Sequence, residues 1–233
     1  DAELLPWYQK QQGKAIGQAY SYIDNGYMNS WDDVYSSPEL NTTDTQKLPG
    51  DPVMVDYNGD GVIDTNDNVP YGYSGTPQNT YNATIGFDWK GLSCFVQFYG
   101  VTNVTRQVVL TSFSGKLDNA YEQGSYWSPD NRFADSPLPR WTSTVDGMTN
   151  GTRYMYDGSY IRLKNAEIAY TFSGDRMKKW GVNSLRLYLN GNNLWFWSRM
   201  ADDRESNTAG TGWASQGAYP TVKRFNLGIK ITL

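Results

Sequence analysis

The chain has 233 residues, with 24 Asp and Glu against 20 Lys and Arg, a net charge of −4, one cysteine and no histidine. The negative charge and the lack of a basic stripe argue against nucleic-acid binding, and the missing histidine excludes Ser-His-Asp catalysis and His-based metal sites within the chain. The single Cys94 excludes an intramolecular disulfide framework, and no apolar run approaches the roughly 18 residues of a membrane helix.

Aromatic residues are abundant for so polar a chain. They make up 15% of the residues, including 18 Tyr and 9 Trp, while the mean hydropathy is −0.64. This combination is typical of a transmembrane β-barrel, whose lumen and loops are polar and whose membrane interfaces carry aromatic girdles. It also fits a soluble sugar-binding β-sandwich, so composition alone leaves both classes open.

Residues 1–78 show no sustained period, apart from a short strand expected around residues 19–23, and are predicted to be a loop region. Within this region, DYNGDGVIDTND at 56–67 has the spacing of a calcium loop, with Gly61 at the sharp turn. So many carboxylates in twelve residues would repel each other without a cation. The sequence therefore predicts one structural Ca²⁺ whose ligands at positions 1, 3, 5, 7, 9 and 12 are Asp56, Asn58, Asp60, the carbonyl of Val62, Asp64 and Asp67.

Two features of this loop keep an alternative open. Asp67 stands where a sensor-type loop has a bidentate Glu, and its shorter side chain must approach an ion more closely or bind through one oxygen. No amphipathic helix flanks the loop, so it is not a paired EF-hand. The same residues also fit an Asp/Asn/Gly-rich turn without an ion.

Five later segments alternate apolar and polar residues with the period of two that marks β-strands. In the first of them, Asn79 to Trp89, the alternate residues from Tyr81 to Trp89 form an unbroken apolar face, and the segment of about eleven residues has the length of a tilted transmembrane strand. In the third, Arg162 and Lys164 share the parity of the apolar residues, which predicts a β-bulge or a position above the hydrocarbon. The predicted strands are 79–89, 92–100, 159–172, 184–197 and 221–233.

The connections between these strands alternate in length. Turns near residues 90 and 178 are short, whereas segments 1–78, 101–157 and 198–220 are long. Transmembrane barrels have short periplasmic turns and long extracellular loops, so the long segments are predicted to be extracellular. The fold class predicted is all-β: the C-terminal strands of a large antiparallel transmembrane β-barrel. Trp89 and Phe172 would then lie at the periplasmic interface, and Trp195 and Trp197 at the outer one.

Several stretches, in this order and spacing, resemble the SusC/RagA-like TonB-dependent transporters of the Gram-negative outer membrane. The matching stretches cover nearly the whole chain, and the last of them is YP at 219–220, just before the final strand. The matching pieces are GKAIGQAYSYIDNG, GDPVMVDYNGDGVID, WSPDN with the later PR at 139–140, YIRLKNAEIAYTF and LRLYLNGNNLW. One departure is Leu233, because outer-membrane barrels usually end in an aromatic residue.

The resemblance implies a 22-stranded barrel with an N-terminal plug, of which this chain would supply the last five strands and three outer loops. It implies a glycan or oligopeptide importer of the bacterial outer membrane rather than an enzyme. The implied partners are the remaining N-terminal part with the plug and other barrel strands, TonB acting through that plug, a SusD-like surface lipoprotein and outer-membrane lipid. No nucleic acid is expected.

Two other functions remain open from the sequence. In a soluble calcium-stabilised carbohydrate-binding β-sandwich, loop tryptophans would stack on sugars; Trp127, Trp141 and Trp213 are the candidates, and they are equally candidate substrate contacts in a transporter. A glycoside hydrolase would need two carboxylates facing each other across a sugar. The densest acidic cluster outside the calcium loop lies at 202–205, but such loop clusters are usually solvated, so no catalytic residue is predicted.

Overall fold

A computed structural model of the chain describes residues 4–107, 124–139, 151–200 and 221–233. These residues form two compact units. The sheet unit consists of residues 78–102, 159–200 and 221–233, and the loop unit consists of residues 4–77, 103–107, 124–139 and 151–158. Within these ranges, no helix has the length and apolar character needed to cross a membrane.

The regular elements are short in the loop unit and long in the sheet unit. Within the described ranges, three 3₁₀ turns accompany them: Asp44–Gln46, Thr65–Asp67 and Thr152–Tyr154. In chain order the described elements are β1 (Tyr20–Ser21), β2 (Asp24–Tyr27), α1 (Trp31–Ser36), β3 (Glu39–Leu40), β4 (Pro52–Met54), β5 (Val62–Ile63), β6 (Val69–Pro70), β7 (Asn79–Trp89), β8 (Leu92–Thr102), β9 (Thr105–Gln107), β10 (Met155–Asp157), β11 (Tyr160–Ser173), α2 (Asp175–Lys178), β12 (Ser184–Ser198) and β13 (Arg224–Thr232).

The sheet unit is one five-stranded antiparallel sheet with the order β13-β12-β11-β8-β7. Relative to the predicted strands, β8, β11 and β12 extend one or two residues further at their C-terminal ends, and β13 begins at Arg224 rather than at residue 221. The β7–β8 hairpin closes through Lys90 and Gly91, both with positive φ (46° and 88°). Two consecutive positive φ values define the tight turn whose twist matches a right-handed hairpin.

A β-bulge in β11 explains the charged residues that share the parity of the apolar face. The register shifts between Leu163 and Asn165 against both β8 and β12. The ammonium group of the extra residue, Lys164, lies 5.4 Å from the ring centre of Tyr99 on the polar face. Because a single inserted residue reverses the side-chain alternation, the apolar residues on both sides of the bulge stay on one face.

Position 228 in β13 must be a glycine because a neighbouring aromatic ring fills the space of its side chain. The aromatic ring of Tyr188, its direct partner in β12, lies over Gly228 and occupies the space that a Cβ atom would take. Covering a strand glycine with a cross-strand aromatic ring restores the packing that the missing side chain leaves out. This contact links the last two strands on the polar face.

The loop unit is held by small strand pairs rather than by one large sheet. Strand β1 pairs with β6, β2 with β4 and β9 with β10, all antiparallel, whereas β3 and β5 are parallel. Leu40, Met54 and Ile63 from three of these strands form a buried core, against which Tyr22 packs. The region predicted as loop from its missing period therefore contains short strands, which the pairing of distant segments creates.

A partly buried charged cluster joins the beginning of the loop unit to its end. The Nε atom of Arg153 donates to Asp24 at 2.9 Å, and its Nη1 atom donates to the hydroxyl of Tyr27 at 2.6 Å. Burial lowers the pKa of Arg153, but the charge of Asp24 and the hydroxyl of Tyr27 outweigh this effect and raise it overall. For Tyr154, which is neutral when protonated, burial acts in the opposite direction and raises the pKa. Its hydroxyl therefore stays protonated beside this cluster.

Candidate functional site: a two-faced sheet and an acidic loop

One face of the sheet unit is apolar on all five strands. Cross-strand partners lie on the same face, and the observed register brings the apolar positions of each strand opposite those of the next. Many of these side chains are exposed, including Leu227 at 81%. The apolar face comprises Tyr81, Ala83, Ile85, Phe87 and Trp89; Leu92, Cys94, Val96 and Phe98; Ile161, Leu163, Ala166, Ile168, Tyr170 and Phe172; Leu185, Leu187, Leu189, Trp195 and Trp197; and Phe225, Leu227, Ile229 and Ile231.

The aromatic residues of this face concentrate at its two ends. Trp89 lies next to the β7–β8 turn, and Phe172 lies next to the connection that carries α2. Trp195 and Trp197 lie at the opposite ends of the strands, where they pair with Leu163 and Ile161. The two groups thus bracket the aliphatic middle of the face, the arrangement expected of aromatic girdles at two membrane interfaces.

The opposite face carries a first row of hydrogen-bonded amides across four strands. The amide of Gln97 donates to Asn82 at 3.2 Å and accepts from Asn165 at 2.6 Å. Asn165 in turn accepts from the amide of Asn192. Each amide side chain offers both a donor and an acceptor, so this row can bind a polar, uncharged ligand through either type of hydrogen bond.

A second row of polar side chains runs beside the first and includes an ion pair. Asn226 donates to Asn190 at 2.8 Å, and Asn190 donates to Glu167 at 3.5 Å. Glu167 also binds Arg186 at 2.7 Å. The polar face is therefore hydrogen-bonded within itself, while the apolar face offers only dispersion and hydrophobic contacts.

A shallow cavity of about 210 Å³ indents the sheet unit at the end where Trp197 lies. Gly100 lines it together with Tyr81, Ile161 and Trp197, and a Cβ atom at Gly100 would come within 3.0 Å of the Tyr160 carbonyl oxygen. The surrounding side chains of the apolar face make it suited to an apolar group rather than to a charged one.

The acidic loop at 56–67 is shaped by hydrogen bonds from its own backbone. Asp56 accepts from the backbone N–H of Gly59 and Gly61, both at 2.7 Å. Asp60 accepts from Val62 N–H at 2.9 Å and from the amide of Asn58 at 2.8 Å. These contacts hold the carboxylates of the loop at the surface, where each retains lone pairs for a further partner.

Asp64 and Asp67 close the loop by capping its 3₁₀ turn. Asp64 accepts from the backbone N–H of Asn66 at 2.6 Å, and Asp67 accepts in return from Asp64 N–H at 2.9 Å. The other oxygen of Asp67 accepts from the N–H groups of Tyr57, at 2.7 Å, and Asn58, at 3.3 Å. Asp67 is completely buried, so it is the anchor of the loop, whereas Asp56, Asn58, Asp60 and Asp64 are at least partly accessible.

The described residues do not gather these carboxylates into a metal cage. In the ranges that the structure covers, no group of three or more His, Cys, Asp or Glu side chains has the arrangement of a metal site. The donor types and their order along the chain fit Ca²⁺, but Asp67 already has three backbone donors on its two oxygens. Calcium binding by the six residues stays a prediction.

The N-terminal segment holds the acidic loop in place. The hydroxyl of Tyr8 donates to the backbone carbonyl of Asn66 at 3.0 Å, and Gln9 donates to that of Thr65 at 3.2 Å. The ring of Tyr8 also packs edge-on against Tyr57, with centroids 4.8 Å apart. Desolvation and the nearby carboxylates, Asp67 first among them, raise the pKa of Tyr8. Its hydroxyl therefore remains a donor at neutral pH.

The predicted substrate tryptophans have different outcomes. Trp127 is only 6% exposed, and its indole N–H donates to the side chain of Asn29 at 2.9 Å. Its ring also lies so close to Gly50 that a Cβ there would clash. In this position the ring packs the loop unit and has no face open to a sugar. Trp141 and Trp213 lie outside the described residues, as does the acidic cluster at 202–205.

No protein-family model matches the chain, but two curated proteins of Formosa agariphila are similar to it. TonB-dependent receptor P3 is 28% identical over 235 residues, which is 95% of this chain and 22% of the receptor. TonB-dependent receptor P26 is 31% identical over 189 residues, which is 76% of this chain and 19% of the receptor. The chain is homologous to the TonB-dependent receptors. It spans about a fifth of the length of these relatives.

Solved structures give the same assignment at the level of fold. The RagAB peptide transporter covers 92% of this chain with 22% of its own, with a TM-score of 0.63 and 18% identity. The RagAB peptide importer in its 'open-open' state covers 93% of this chain with 22% of its own, with a TM-score of 0.58 and 19% identity. The chain therefore shares the fold of part of that transporter, and the predicted resemblance to SusC/RagA-like transporters is confirmed.

TonB-dependent receptors reside in the bacterial outer membrane and are transporters rather than enzymes. The predicted localisation and the prediction that the chain is not an enzyme are confirmed at the level of this family. The antiparallel sheet of the all-β prediction is also observed, and its described strands form an open sheet whose edges are β7 and β13.

Replacing Asp67 with Asn should loosen the acidic loop in calcium-free buffer. An amide has one acceptor oxygen and would turn an N–H₂ group toward a backbone N–H, so we expect a local loss of about 2–4 kcal/mol. Hydrogen exchange of the backbone amides at residues 57, 58 and 64 measures this loss. The matched change Asp60→Asn, at an exposed position, should alter exchange little; equal effects of both variants would contradict the anchoring role of Asp67.

Proposed function

We propose that this TonB-dependent receptor homologue contributes strands to the transmembrane barrel of an outer-membrane importer of glycans or oligopeptides. The observation that carries the proposal is the continuous exposed apolar face of the five-stranded sheet, backed by a polar and hydrogen-bonded face. In a transmembrane barrel the apolar face contacts lipid and the polar face lines the lumen. Cys94, on the apolar face, is then a lipid-side or packed hydrophobe without a redox role.

The edges of the sheet support pairing with the rest of a transporter. Unpaired backbone N–H and C=O groups each cost several kcal/mol in hydrocarbon. Strands β7 and β13 have one described neighbour each, so in lipid each requires a second strand. We assign these partners to the other barrel strands of the transporter, whose plug would connect it to TonB.

A SusD-like surface lipoprotein completes the proposed importer. Support comes from the fold shared with part of the RagAB peptide importer and from the family resemblance in the sequence. In this arrangement the loop unit lies on the extracellular side, where the lipoprotein would contact it.

The substrate in this proposal is a polar oligomer. The amide rows on the polar face present donors and acceptors with few unpaired charges, and such groups suit both peptide bonds and sugar hydroxyls. The soluble sandwich is less well supported, because a second sheet or another layer would have to cover the apolar face, and the described strands form a single sheet there.

A charge on the apolar face should prevent membrane assembly, whereas the same charge on the polar face should not. We expect Leu227→Arg to cost about 2–4 kcal/mol at the middle of the bilayer and to reduce the folded, heat-resistant transporter in outer membranes. The control is Asn226→Arg, one residue away on the polar face. Normal assembly of Leu227→Arg together with failure of Asn226→Arg would mean that the faces are assigned the wrong way round.

Uptake measurements test the transport function itself. Cells with the complete transporter should accumulate a fluorescent oligopeptide or oligosaccharide, and accumulation should stop when TonB is removed. Testing both substrate classes in parallel identifies which one is imported. Equal accumulation in cells that lack the transporter would contradict the proposal.

The acidic loop is proposed to hold a structural Ca²⁺ through Asp56, Asn58, Asp60, the Val62 carbonyl and Asp64, with Asp67 at the twelfth position. The spacing of the donors and the accessibility of the first, third, fifth and ninth side chains support it. Because the five strands of the sheet unit are hydrogen-bonded independently of this loop, the ion would stabilise the loop and its β3–β5 pair rather than that sheet.

Calcium titration of the purified transporter tests this site. We expect binding at millimolar or lower Ca²⁺, slower hydrogen exchange in residues 56–67, and at least a tenfold weaker affinity in Asp60→Ala. The control Asp32→Ala removes an exposed carboxylate elsewhere in the loop unit and should change nothing. If metal analysis finds no divalent ion at millimolar Ca²⁺, the loop is an ion-free turn.

A further inference from the structure

Helix α1 presents two aromatic rings to the surface. Trp31 and Tyr35 are one helical turn apart and are 52% and 82% exposed. Their ring centroids are 6.2 Å apart, and the ring planes are inclined by 32°. Exposed aromatic patches of this kind mark interaction sites more often than scattered single residues do. The proposed transport function assigns no role to either ring.

Helix α1 is held in place by hydrogen bonds at its N-terminus and by a buried inner side. Ser30 accepts from Asp33 N–H at 3.2 Å, and Asp33 accepts in return from Asn29 N–H at 2.8 Å. On the inner side, Val34 is buried, and Asn29 accepts from the indole of Trp127 at 2.9 Å. The rings therefore sit on a pre-organised support, which lowers the entropy lost when a partner binds.

The segment that carries the rings is acidic, and the cation that contacts its end, Lys47, is 7% exposed and already paired with Asp44. Residues 28–40 contain Asp32, Asp33 and Glu39 but no Lys or Arg, and Asp32 and Glu39 are exposed. The face of an indole or phenol ring attracts a cation, most strongly when the cation is a guanidinium or ammonium group. The carboxylates add to this attraction and repel anionic ligands.

We propose that Trp31 and Tyr35 form a docking surface for a protein partner that lays an Arg or Lys side chain across the rings, next to the carboxylate of Asp32. Charge favours this occupant over a sugar, because a cation is attracted by both the rings and the carboxylates, whereas a neutral pyranose would gain hydrogen bonds but no attraction between net charges. The inference rests on the proposed function, in which the surface lipoprotein is the protein that meets the loop unit, and the lipoprotein is the probe.

Photo-crosslinking in the complete transporter identifies what contacts the helix. With p-benzoylphenylalanine at position 35 and the lipoprotein co-expressed, we expect a crosslink to a lipoprotein peptide that contains Arg or Lys. A crosslink only to another part of the transporter chain, to a transported peptide, or to a lipoprotein segment without Arg or Lys would overturn the proposal.

Affinity measurements with purified lipoprotein and transporter test the chemistry of the contact. We expect Trp31→Ala to weaken binding about tenfold, as for an aromatic hot spot. Asp32→Lys should weaken binding of the lipoprotein more at low salt than at high salt, because the lost attraction is electrostatic. The matched control is Trp180→Ala, which removes another exposed tryptophan, in the sheet unit, and should leave the affinity unchanged.

The outcomes separate this inference from the proposed function. If the lipoprotein binds the unchanged transporter and Trp31→Ala, Tyr35→Ala and Asp32→Lys all bind it equally well, the docking surface is wrong while the importer stands. If the lipoprotein does not bind the unchanged transporter at all, the partner in the proposed function fails first. Both Trp31 and Asp32 are exposed, so their substitution should leave the fold intact, and normal membrane assembly of each variant verifies this.

Discussion

The antiparallel ladder from β13 to β7 fixes the face of every side chain in the sheet unit. Backbone pairing sets the register, and the register decides whether the apolar positions of neighbouring strands coincide. They coincide on all five strands, so the sheet has one face for an apolar solvent and one for water. The position of the aromatic ends, the amide rows and the Gly228–Tyr188 contact all depend on this alignment.

The long strands could be predicted from the sequence because their information is local. A period of two over nine or more residues is visible in the chain itself. Two cations with the parity of the apolar face, Arg162 and Lys164, indicated either a bulge or a position above the hydrocarbon, and the structure has the bulge. Apart from β1, which lies within the short strand expected at residues 19–23, the short strands of the loop unit carry no such signal. Leu40 and Ile63, for example, become strand residues only because two distant segments pair in parallel, which no local pattern indicates.

The candidate sites were predictable to different degrees. Spacing identified the residues of the acidic loop, but it could not show that Asp67 is buried among backbone amides. Aromatic content suggested exposed tryptophans, yet burial depends on tertiary neighbours, and Trp127 lies inside. The exposed pair on α1 was missed although Trp31 and Tyr35 have the i, i+4 spacing that places two residues on one helix face.

The Asp24–Arg153 pair has a consequence for how the chain folds. Its two residues are 129 positions apart, and the hairpin β7–β8 lies between them in the sequence. The loop unit therefore cannot close until the second half of the chain has been synthesised, by which time that hairpin is already available for pairing. Contacts of such high sequence separation slow folding because the chain entropy is lost before the contact forms. Closure of the loop unit is thus a late event that depends on the part of the chain after the hairpin.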